Sequence, residues 1–142
     1  MSQENVEIVR GAHAEFERGN FWTPEVFDPS VRVVWLSAIA GGEPETVGLD
    51  AMGRTVKEWL QSWEQVTYVA ERFIDAGDQV VIIAEWRGRG KASGVFTKWR
   101  HGAVWTIRDG KVISLISYPD PTDALEAVGL SEQDAHWKSS PS

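Results

Sequence analysis

The spacing of apolar residues divides the chain into an early helical half and a later strand-rich half. Val6, Val9, His13 and Phe16 recur at helical spacing, so Ser2–Arg18 is expected to form a helix, with Gly19-Asn20 as its stop. In "TPEVFDP", Thr23 and Pro24 supply a cap and a first-turn proline for a short helix. "SVRVVWLS" alternates like a strand: Val31, Val33 and Trp35 share one face, and Arg32, Val34 and Leu36 share the other. "AIAGGEPETVG" reads as a loop. Leu49–Trp63 carries the strongest helical stripe, formed by Leu49, Met52, Val56, Trp59, Leu60 and Trp63.

From Val66 the period falls to two. Val66–Asp75, Gln79–Gly90, Phe96–Arg108 and Lys111–Tyr118 are expected strands, separated by the turn sequences "AGD", "KASG" and "RDG". Asp120-Pro121 then opens a last short helix that ends at Gly129. The order predicts an α+β domain over residues 1–130, with helices gathered on one side of a bent antiparallel sheet. Residues 131–142 are polar apart from Trp137 and are expected to form a disordered tail.

Alternation also sorts the faces of the two central strands. Val80, Ile82, Ala84 and Trp86 form one apolar row, and Trp99, His101, Ala103, Trp105 and Ile107 form another; both should face the helices. The opposite rows, including Val81, Ile83, Glu85, Arg87, Arg89, Arg100, Val104 and Thr106, should face solvent or a partner chain. This reading settles "AEWRGRGKASG". Its glycines lead into another strand rather than a helix N-terminus, so they fit twist or close backbone approach better than a phosphate cradle.

Composition narrows the function classes. With 142 residues the chain fits one domain, and its formal charge of −7 argues against a broad nucleic-acid or anionic-membrane footprint. Without cysteine there are no disulfides and no thiol chemistry, which suits a reducing cytoplasm. The first residues lack signal-peptide character, and no apolar run approaches the ~20 residues that span a membrane. Eight tryptophans are the unusual feature, pointing to a thick aromatic core or a roomy aromatic cavity.

The layout, together with "GLDAMGRTVKEWLQSW", "FIDAGDQVVIIAEWRGRGKASG", "IRDGKVISLISY" and "DALEAVGL", resembles the SnoaL-like branch of the NTF2-like superfamily over about Asn5–Leu130. The resemblance implies a cone-shaped α+β barrel, a curved antiparallel sheet around a long helix, a pocket at the open end, and dimerisation through the outer sheet face. It does not deliver one function, because enzymes and non-catalytic modules share the fold. Where ketosteroid isomerase keeps its general-base Asp, its oxyanion-hole Asp and its donor Tyr, this chain has residues near Trp35, Ala103 and Ala12. That chemistry is therefore not expected. The Arg/Asp pair of limonene epoxide hydrolase has only a reversed, outward-facing counterpart in Glu85 and Arg87, with Asp120 as the second acid.

His101, on the inner row, is the candidate general base if there is catalysis; the alternative is a structural histidine. Asp120 is a second catalytic candidate at the expected cavity mouth, against a competing role as a helix cap. Trp35, Trp59, Trp63, Trp99, Trp105 and His13 are the candidate ligand-binding walls. Three dispersed histidines give no metal signal, and no cofactor is expected. Three functions remain open: a pocket protein for a small hydrophobic molecule, an acid–base enzyme of the cyclase, isomerase or hydrolase type, and a dimerisation module. A homodimer is expected through the outer face near Arg87, Arg89, Arg100 and Thr106; neither nucleic acid nor membrane is an expected partner.

Overall fold

The computed structural model describes residues 2–35 and 45–131. The expected tail from 132 onward and most of the expected loop after β1 lie outside the described residues. Helix α1 (Ser2–Glu17) and a single 3-10 turn (Pro24–Val26) lead into strand β1 (Phe27–Trp35). Strand β2 (Glu45–Val47) and helix α2 (Leu49–Gln61) follow. Then come β3 (Trp63–Ala76), β4 (Gln79–Gly90), β5 (Phe96–Arg108), β6 (Lys111–Tyr118) and helix α3 (Pro121–Ala127).

The six strands form one sheet in the order β2-β1-β6-β5-β4-β3. The β3–β6 meander is antiparallel, as the turn sequences require. At "RDG", Asp109 (φ 52°) and Gly110 (φ 77°) both take left-handed backbone, the conformation of a tight two-residue hairpin turn. Interruptions of register in β3, at Glu71 between Ala70 and Arg72, and in β6, at Ile113 opposite Thr106 and Ile107, mark bulges that bend the strands. At the first of these, Glu17 at the end of α1 accepts a hydrogen bond from the Ala70 N–H (3.2 Å), tying the helix to the outermost strand.

The structure corrects four local expectations. Glu45–Val47 is a strand rather than loop, because β1 offers it a hydrogen-bonding edge, with Val33 opposite Thr46. Helix α2 ends at Gln61, so Trp63 opens β3 instead of closing the helix. The sheet is not wholly antiparallel, since β1 runs parallel to β6. Finally, the helices do not share one side.

Helices α1 and α2 pack on the inner face, where Val9, Ala12 and Met52 meet Val31, Val33, Val80, Ile82 and Trp105. Helix α3 packs on the outer face, where Ala124 and Leu125 close over Val81, Ile83 and Val104. Gly102 makes that approach feasible: a Cβ there would sit 2.6 Å from Ala124 Cβ. The inner rows of β4 and β5 lie where alternation put them. The outer rows do not all face solvent or a partner, because Val81 and Ile83 are fully buried under α3. Close approach also explains Gly88, whose Cβ would meet the Trp63 ring at 2.7 Å.

Candidate functional site: a neutral aromatic cavity

Between α1, α2 and the inner sheet face lies a cavity of about 90 Å³. Helix α1 contributes His13 and Phe16, β1 contributes Phe27 and Trp35, and α2 contributes Met52, Thr55, Val56 and Trp59. The rest of the wall is Phe21, Tyr68, Trp86, His101, Ala103, Trp105, Leu115 and Ser117. None of these sixteen side chains is an acid, a lysine or an arginine.

His101 is anchored at both ring nitrogens. The Trp86 indole N–H donates to Nε2 (2.8 Å), and Nδ1 stands 3.1 Å from Ser117 Oγ. Burial lowers its pKa to about 4, so the ring is neutral at pH 7. His13 is held from the other side. Its Nδ1–H donates to the Val9 carbonyl (2.8 Å), which can only accept, and this leaves the Nε2 lone pair unprotonated. Rings of Phe16, Tyr68, Phe73 and Trp105 lie within 5.3 Å of the His13 imidazole, centroid to centroid. Burial lowers its pKa to about 3; the Val9 hydrogen bond opposes that shift and the nearby His101 adds to it. Burial also raises the Tyr68 phenol well above 10, reinforced by Glu17, so it keeps its proton. The cavity is therefore uncharged at neutral pH.

Donors outnumber partners. The indole N–H groups of Trp35 and Trp59, both in the cavity wall, are buried without a hydrogen-bond partner among the described residues. Trp63 and Trp99 also carry unpartnered indole N–H groups, but they stand outside the lining. They stack on one another (5.2 Å), and Trp99 stacks on Trp86 (6.2 Å), forming a ladder behind the wall. Of the sequence candidates, His13, His101, Trp35, Trp59 and Trp105 come together around the cavity. Asp120 does not join them: its carboxylate accepts the Thr122 N–H (2.8 Å) as the N-cap of α3. Among the described residues no cluster of three or more His, Asp or Glu could hold a metal ion, and no helix is long and apolar enough to cross a membrane.

Sequence reasoning missed Ser117, Tyr68 and the hydrogen-bonding role of Trp86. The signal for Ser117 lay in parity, since it stands two residues beyond the buried Leu115 on β6.

The model of the SnoaL-like domain family matches residues 9–115. The chain belongs to the SnoaL-like family. No protein of curated function shows a significant sequence match to this SnoaL-like chain. Solved structures resemble it closely in fold at low identity. One is an NTF2-like protein of unknown function from Burkholderia pseudomallei, with TM-score 0.72, 16% identity and coverage of 89% of this chain and 98% of that one. A protein assigned as a SnoaL-like polyketide cyclase from Jannaschia sp. gives 0.69 and 20%, covering 89% and 92%. TerC, crystallised with polyporic acid, gives 0.70 and 18%, covering 88% and 98%. These likenesses establish the NTF2-like α+β fold.

Proposed function

We propose that this SnoaL-like domain binds a small, neutral, hydrophobic molecule of aromatic character in the cavity beneath α1 and α2. One observation carries the reading. Eight of the sixteen lining side chains are Phe, Trp or Tyr, and none bears a charge that could balance a buried ion. At about 90 Å³ the cavity is smaller than the ~150 Å³ that admits benzene in an engineered core, so an aromatic ring has to displace a side chain. Met52 is the most adaptable one in the wall.

The test is a titration of the isotopically labelled protein with acetophenone and, separately, with benzoate, followed through the tryptophan indole N–H signals. Acetophenone is expected to shift those of Trp35 and Trp59, and benzoate to leave them in place. Equal binding of benzoate, or no binding of either, overturns the reading.

Catalysis by His101 ranks second, because its only free lone pair already accepts from Trp86. Turnover that vanishes in His101→Gln and survives in Trp86→Phe would reverse the ranking. The homodimer through the outer face also stands as a proposal. With Val81, Ile83 and Val104 covered by α3, its contact rests on Arg87, Arg89, Arg100 and Thr106, and light scattering at micromolar concentration decides it.

A further inference from the structure

Hydrogen-bond direction runs one way through the cavity wall. An indole nitrogen can only donate, so Trp86 fixes His101 Nε2 as an acceptor. A neutral imidazole with a bare Nε2 carries its proton on Nδ1, and that N–H therefore donates to Ser117 Oγ. The Ser117 oxygen is thus a recipient, and its own proton remains to be given away. Among the described residues no acceptor takes it, although Ser117 is only 2% exposed and lies in the cavity wall. Its register partner across the parallel β1–β6 pair is Trp35, which lines the same cavity with a second buried, unpartnered donor.

We infer that Ser117 and Trp35 together receive a carbonyl-type oxygen of the cavity ligand, so that the site selects carbonyl-bearing aromatic molecules over hydrocarbons of the same shape. The inference rests on the ligand-binding reading above and assigns it a chemical class. An acid or its anion does not suit the pair, because no cation stands in the wall to balance it. A hydrocarbon leaves two buried donors unpaired, and a site built to hydrogen-bond its ligand rejects an analogue lacking the acceptor.

The experiment compares acetophenone with α-methylstyrene, which replaces the carbonyl oxygen by a methylene group at nearly constant shape. Affinities are read from the indole N–H signals, and the His101 tautomer from its ring ¹⁵N shifts. The ketone is expected to bind about tenfold more tightly than the alkene. Ser117→Ala should weaken the ketone about five- to tenfold and leave the alkene within about twofold. Because that variant also strands the His101 Nδ1–H, Trp35→Phe serves as a second probe that removes a donor and keeps a ring; it should give the same selective loss. In the unliganded protein His101 should carry its proton on Nδ1. Equal affinity for ketone and alkene overturns the inference and leaves the binding reading standing, whereas no binding of either overturns both. A parallel loss for both ligands in both variants, or a proton on Nε2, also overturns the carbonyl assignment.

Discussion

The indole N–H of Trp86 points at Nε2 of His101 from 2.8 Å, and protonation of that nitrogen would set two N–H groups against each other. The contact therefore works with burial to keep the imidazole neutral. Trp86→Phe keeps a ring beside Tyr68 and Trp59, whose centroids lie 4.3 and 4.7 Å from that of Trp86, and removes only the donor. The His101 pKa should then rise from about 4, by about one unit, with a stability loss of about 1 kcal/mol. An NMR titration of the variant reads the shift; a pKa that stays in place would leave burial as the sole cause.

Acid sensitivity follows from the two buried histidines. Their folded pKa values, about 3 for His13 and about 4 for His101, lie below the 6.5 of the unfolded chain. Between those limits the unfolded state binds more protons, so their contribution is complete above pH 6.5. It shrinks as the pH falls toward the folded values. At pH 5 the loss should be roughly 2 kcal/mol per histidine. Urea denaturation at pH 7 and pH 5 measures it, and His101→Gln should remove about half of the difference.

Three glycines make opposite predictions. Gly102→Ala drives a methyl into Ala124 Cβ at 2.6 Å and Pro121 Cα at 3.0 Å, and Gly88→Ala drives one into the Trp63 ring at 2.7 Å. Each should cost about 1–3 kcal/mol. Gly11 lies within α1, and a methyl added there would meet nothing within 4 Å, so Gly11→Ala should stabilise by about 0.5–1 kcal/mol. Thermal melts of the three variants test both signs.

Asp120→Ala separates the cap from the cavity. Losing the bond to the Thr122 N–H should cost about 0.5–2 kcal/mol, while acetophenone affinity stays unchanged. A loss of affinity without loss of stability would return Asp120 to the site.

The inner wall was legible because Trp86 in β4 and Trp99, His101 and Trp105 in β5 keep one parity, which alone puts His101 with Trp105. The outer helix was not. "VVIIA" is apolar on both faces, and a strand buried on both sides reads as a continuous run whose second cover is not specified locally. Strand β2 spans three residues and owes its conformation to the edge of β1, not to its own pattern. The Trp86–His101 bond needed the register itself: Trp86 lies opposite Trp99, and Ala84 lies opposite His101, so the two bonded side chains meet on a diagonal.

The parallel partnership of β1 and β6 also sets a schedule for folding. Val33 stands beside Leu115, and all of α2, β3, β4 and β5 lies in the stretch of chain between them. Closing so long a loop is entropically costly, whereas the β3–β6 meander closes through short local turns. The strand that bears Trp35 gains its parallel neighbour only once Ser117 has been synthesised and β6 has joined the sheet. The corner where Trp35 meets Ser117 thus joins strands far apart in the chain, and loop-closure entropy predicts that it forms late in folding.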